Sequence, residues 1–377
     1  MGFHLIFNVY MPVAINNVNM APPPKYTEQS PERTQIERNV LLLDSKDISI
    51  DQIDLDDGIV LAKNERSRSS VGSSSAKQFE VPSGLKNEVE FWKKIYGEYT
   101  SDQAVLHNLN DITKVYKVVS IPYCKEPPRK ECLKSREDAI QREKDILLNE
   151  LDPTGEKRTS NFIPTIRAQT GLRDKFEEAI KLSKKHLSKI EPIFEEYGIP
   201  IEITRLPFVE SMFNTKAKSH AGAVGLWQLM PKTARHFGMK VGKKHDDRID
   251  PVKSTRVAAR HLVRDYNRLG RWDLAINAYN SGPGRIADAV NQLRTKDIVK
   301  IIRYYYHPAY SFAAKNFYPC FLAALNVYEN RNIYFGGNKD VKVDNNVAAE
   351  TETPSDAAAG TTYEDTDLAY DNLGDTK

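Results

Sequence analysis

No stretch of this 377-residue chain reaches the roughly 18 to 20 consecutive apolar residues that a membrane-crossing helix needs. A helical membrane span is therefore not expected. Cysteine is scarce, with three in all. Cys124 and Cys132 flank a Pro-Pro turn, and no second cysteine pair or His-rich partner lies near them, so no metal site is expected. Their spacing suits a local disulfide in an oxidising compartment and suits two free thiols equally. Cys320 reads as a small buried apolar residue. Net charge is also small, +3 with interspersed signs, which argues against a nucleic-acid surface. Cations nearly vanish after Asp340, where only Lys342 and Lys377 remain among many Asp and Glu. Residues 336–377 are thus expected to be an acidic disordered tail. No internal repeat is present.

The first 79 residues have little to bury. Phe3 to Ile15 is apolar but broken by His4 and Asn8, no Lys or Arg precedes it, and Asn19-Met20-Ala21 is a poor cleavage site. It reads as a weak signal-like segment. A proline run and the serine-rich stretch from Ser67 to Ser75 read as a disordered linker, with Val40 to Leu43 as a short segment able to dock. From 80 to 170 aromatic and aliphatic residues return, as in Phe91-Trp92-Lys93-Lys94-Ile95-Tyr96, and predict a helical accessory region without evident chemistry.

From Leu172 the helical period is clear. Leu172, Phe176 and Ile180 form one stripe, and Leu187, Ile190 and Phe194 continue it, with Pro192 expected to kink or restart the helix. Asp250-Pro251 is an N-cap followed by proline at the first helical position, and Gly270 stops that helix. Further helices are expected around Leu274–Tyr279 and Phe317–Tyr328. Almost nothing alternates with period two, so the fold class is mainly α.

One residue is out of place in this pattern. Ile203, Leu206 and Phe213 share a helical face, and Glu210 sits on the same stripe. A carboxyl pressed against hydrocarbon has its charged form destabilised, so it can stay protonated near neutrality and act as a general acid. The other placement, a helix ending by Glu210 with the carboxylate in water, fits the pattern as well. Two further segments follow at spacings that a small helical domain can bring to one cleft: Gly225-Leu226-Trp227-Gln228-Leu229-Met230-Pro231 and Ala278-Tyr279-Asn280-Ser281-Gly282.

With Glu210-Ser211, these segments resemble the lytic transglycosylases that carry a soluble-lytic-transglycosylase-type domain. The Asn316-Phe317-Tyr318-Pro319 stretch is similar to the membrane-bound transglycosylase D branch of that family. The resemblance covers about Leu172 to Tyr334. It implies a lysozyme-like helical catalytic domain over 171–335 that cleaves peptidoglycan glycan strands. Glu210 would be the catalytic acid, with Ser211 orienting it. Gly225, Gln228, Met230, Tyr279, Asn280 and Tyr318 would meet substrate, Tyr318 or else Phe317 taking the place of a supporting tyrosine. The residue types agree. Small residues from Ala221 to Gly225 let backbone approach a sugar. Gln228 offers a donor and acceptors to an N-acetyl group. Met230 either pads the sugar or packs in the core.

The implied chemistry uses one carboxyl twice, to protonate the β-1,4 bridge oxygen and then to take the 6-hydroxyl proton. It leaves a 1,6-anhydro-muramyl end and needs no metal or cofactor. The implied setting is the periplasm or cell envelope, with a monomer expected. A hydrolytic muramidase would instead need a second carboxylate. Asp246, Asp247 and Asp250 are candidates, although they read as structural. A catalytically silent glycan-binding module is the remaining alternative.

Overall fold

The computed structural model describes residues 79–125, 128–153 and 166–336. The signal-like segment, the linker and all but the first residue of the acidic tail lie outside them. Twelve α-helices and three strands are formed among the described residues.

The stretch from 80 to 170 is helical only in part. It holds α1 (Lys86–Gly97) and α2 (Lys130–Leu151), but also β1 (Gln103–Asn108) and β2 (Val115–Ser120), and β3 (Ile166–Thr170) closes it. The strands form an antiparallel sheet in the order β2-β1-β3, with Val105 opposite Val118 and Leu106 opposite Ala168. No alternation marks β1 because the central strand is covered on both faces. Ala104 and Leu106 pack with Val119, Ala139, Ile140 and Leu147 under α2, whereas Val105 belongs to the main core. A doubly buried strand reads as an apolar run, which fits a helix equally well.

The helix α1 is not a peripheral layer. Val89, Trp92, Ile95 and Tyr96 are buried in the same core as the helices beyond 171. α1 packs along α11 (Phe312–Glu329), where the Trp92 indole donates 3.0 Å to the Asn316 carboxamide oxygen. A boundary at 170 therefore runs through one shared core.

Beyond it, α3 (Arg173–Ser183) and α4 (Leu187–Glu196) carry the expected stripe. The helix breaks at Lys184–His186 rather than at Pro192, which lies inside α4. A 3-10 turn (Ile201–Arg205) leads to the single turn α5 (Pro207–Glu210), and α6 spans Pro231–His236. α7 (Pro251–Leu269) is capped as its sequence specifies. The Asp250 carboxylate accepts from the Val252 and Lys253 amides, and Gly270 ends the helix at φ +78°. α8 (Trp272–Ser281), α9 (Pro283–Leu293), α10 (Ile298–Tyr304) and α12 (Arg331–Phe335) complete the set. α7, α9 and α11 each pack on α8, which places α8 near the middle of the domain. No helix among the described residues is long and apolar enough to cross a membrane.

Candidate active site

The Glu210 turn is short because the chain reverses directly after it. Met212 and Phe213 adopt φ +50° and +57°, a left-handed pair that non-glycine residues rarely take. The Phe213 amide bonds back to the Pro207 carbonyl at 3.2 Å. The turn is held by its apolar face. Phe208 stacks on Phe176 at 4.6 Å, and Ile203, Leu206 and Phe213 are almost wholly buried. Glu210 shares that burial at 3% exposure, although the helix ends at it. No ion pair or side-chain hydrogen bond among the described residues holds its carboxyl. Desolvation by burial lifts its pKa well above the ordinary carboxylate range.

The sign of the consequence for stability is fixed. A carboxyl whose pKa is raised on folding keeps its proton in the native state after the unfolded chain has released it. Stability is highest below the ordinary value of 4.5 and declines as pH rises from there through the raised folded pKa. Glu210→Gln removes that dependence. Its thermal midpoint is expected to match that of the parent in acid and to exceed it increasingly toward alkaline pH. Parallel melting curves across pH would sink the assignment.

The second segment is a loop pinned from outside. Gly225 has φ +86°, and a Cβ there would lie 2.0 Å from the Arg248 carbonyl oxygen. The Arg248 guanidinium donates to the Gly222 and Leu229 carbonyls at 2.8 and 2.9 Å and pairs with Asp246 at 2.7 Å. Asp247 engages Lys253, His245 and the Lys240 amide. All three candidate second carboxylates are thus committed to the frame, Asp250 as the α7 cap. Trp227 is core, stacked on Phe194 at 5.2 Å and donating to Thr255. The third segment is the end of α8, where the Tyr279 hydroxyl donates 2.8 Å to the Trp227 carbonyl and joins the two loops.

These segments converge on a cleft of about 350 Å³. Glu210, Gln228, Met230, Tyr279 and Asn280 all line it. Gln228, at φ +45°, donates its amide to the Ala217 and Gly225 carbonyls, while its buried Oε1 has no partner. Met230 is partly exposed on the wall rather than packed in the core. Desolvation and the nearby Glu210 and Asp265 carboxyls hold the Tyr279 phenol protonated well above its ordinary range.

Three expected residues fall elsewhere. Ser211 does not orient Glu210; its hydroxyl donates 2.8 Å to the Leu226 carbonyl. Gly225 is buried under Arg248, so its missing side chain makes room for backbone rather than for sugar. Tyr318 is buried in α11 near Phe321, Asp273 and Arg271, and neither it nor Phe317 lines the cleft. From Asn316 to Leu325 every residue of α11 is buried, which leaves no face there for substrate.

Sequence reasoning also missed wall residues, among them Thr233, His261, Arg264 and Arg285. His261 and Arg264 lie on α7, remote from every motif. A histidine or arginine on an amphipathic helix carries no signal of its own there.

Fold and cleft together define a helical domain with a buried acid between two polar loops. Residues 195–302 match the Transglycosylase SLT domain model. Over 103 residues the chain is 42% identical to membrane-bound lytic murein transglycosylase D of Escherichia coli (strain K12), covering 26% of this chain and 23% of that protein. Over 120 residues it is 32% identical to membrane-bound lytic murein transglycosylase F of Pseudoalteromonas translucida (strain TAC 125), covering 29% and 24%. The crystal structure of the 70 kDa soluble lytic transglycosylase of Escherichia coli aligns with a TM-score of 0.30 at 25% identity over 38% of this chain and 24% of that one. The likeness lies in the part of the chain that carries the cleft, residues 195–302. The chain spans about a quarter of the length of these two transglycosylases.

Proposed function

We propose that the protein is a peptidoglycan lytic transglycosylase that cleaves the β-1,4 bond between N-acetylmuramic acid and N-acetylglucosamine. The observation that carries this reading is the buried, unpaired Glu210 carboxyl on the wall of a polar cleft. Held protonated by desolvation, it donates to the bridge oxygen. Positive charge develops at the anomeric carbon, where the N-acetyl oxygen of the sugar stabilises it. The resulting carboxylate then takes the proton of the 6-hydroxyl, whose oxygen closes on the anomeric carbon as a 1,6-anhydro ring. Gln228 presents its unpartnered Oε1 to an N-acetyl N–H, Asn280 supplies an amide, and Met230 pads a sugar face. Tyr279 is the hydroxyl nearest in kind to the supporting tyrosine expected at 318.

Activation of a water by a second carboxylate would give hydrolysis instead. Among the described residues Glu210 is the only Asp or Glu that lines the cleft, which favours the intramolecular closure. The disulfide between Cys124 and Cys132 supports an oxidising compartment such as the periplasm. Mass analysis of fragments released from purified sacculi tests the reaction. The expected product is lighter than the hydrolysed one by a single water; hydrolysed ends alone would replace the proposal with a muramidase.

A further inference from the structure

The cleft contains a second buried polar group that the mechanism above does not use. His261 of α7 is 9% exposed, lines the cleft, and lies 5.2 Å from the Tyr279 ring, centroid to centroid. Its Nε2 is 3.3 Å from Oδ2 of Asp265, one helical turn on, which is fully buried and does not line the cleft. The other oxygen of Asp265 is gripped by Nε and Nη2 of Arg264 at 3.1 and 3.0 Å. Asp265 Oδ2 makes no hydrogen bond of its own, so its influence on the ring is electrostatic, across 3.3 Å. The ring nitrogen left over, Nδ1, is buried and has no hydrogen-bond partner. A buried polar atom without a partner is costly, and an open binding site is one place where that cost is recovered on ligand binding.

We propose that His261 is a further substrate-contacting residue, its Nδ1 accepting a hydrogen bond from a hydroxyl or amide N–H of the bound saccharide, with Asp265 and Arg264 setting the ring's tautomer. This rests on the glycan-cleaving reading of the cleft. The electrostatics agree with the geometry. Burial, with Arg264 and His236 nearby, lowers the imidazole to about 3, so the ring is neutral at working pH. Asp265 is raised by burial to about 6 and is ionised above that. A neutral ring facing an ionised carboxylate carries its proton on Nε2, which leaves the lone pair on Nδ1.

Two substitutions separate this role from packing. His261→Phe keeps a ring against Tyr279 and Phe237 but removes the acceptor. Asp265→Asn is isosteric. With its oxygen still on Arg264, its amide donates to Nε2 and drives the ring proton to Nδ1, so the acceptor becomes a donor. Each is placed in the full-length Glu210→Gln background, and binding of glycan strands solubilised from purified sacculi is measured by calorimetry above the Asp265 midpoint. The expected result is a loss of affinity of about 10- to 100-fold for each, the range for leaving a buried polar group unpaired, with melting midpoints retained. Should His261→Phe fail to fold, the Asp265→Asn result decides alone. Unchanged affinity in the folded variants overturns the inference while leaving the proposed function standing. No turnover by the parent and no binding by Glu210→Gln would overturn both.

Discussion

Glu210→Gln is expected to lower the rate of glycan cleavage by about 10²- to 10⁴-fold, the usual contribution of a positioned general acid and base. The amide has the shape of the carboxyl but can neither donate the acidic proton to the bridge oxygen nor recover one from the 6-hydroxyl. Binding should survive, because the substrate contacts assigned to Gln228, Met230, Tyr279 and Asn280 are untouched. The fold should be more stable than the parent at alkaline pH, since a buried ionisable group with no partner is replaced by a neutral one. Activity and stability therefore move in opposite directions, which separates this effect from simple unfolding. The readout is release of soluble fragments from purified sacculi beside a melting curve of the same sample. Residual cleavage within tenfold of the parent would remove Glu210 from the centre of the mechanism.

The second large effect is expected far from the proton transfer. Gly225→Ala places a methyl group 2.0 Å from the Arg248 carbonyl oxygen, at a backbone angle of +86° that an L-residue adopts only under strain. Strain and overpacking together should cost roughly 2–5 kcal/mol. Relief requires Arg248 to move, and Arg248 holds both the Gly222 and Leu229 carbonyls. The loop that carries Gln228 and Met230 would then lose its place, so cleavage should fall even where the protein remains folded. Urea unfolding gives the first quantity, and the rate at low temperature gives the second. A variant with a parental midpoint would show that the Arg248 backbone yields freely.

Much of the frame was legible in residue patterns. Asp250, Pro251 and Gly270 mark the ends of α7 by local chemistry alone, since a cap bonds to its own helix. The apolar stripe of α3 and α4 and the buried position of Cys320 follow from periodicity and residue type. The strands were hidden because both faces of β1 are covered. The helix break was misplaced at Pro192 because a proline marks only a probable interruption.

At the cleft the division is sharper. Motif order and the family resemblance pointed to Glu210, Gln228, Met230, Tyr279 and Asn280, and the fold brings all five to one cleft. Whether the carboxyl of Glu210 would be dry or wet could not be read from its stripe; the packing of Phe208 on Phe176 and the reversal at Met212 decided it. Ser211, Gly225 and Tyr318 sit beside the right residues in sequence yet face carbonyls and core, because adjacency along a chain does not fix the direction of a side chain. His261 and Arg264 line the cleft only because α7 packs on α8. Local caps and periods are written in neighbouring residues; which distant side chains share a cavity is set by how whole helices pack.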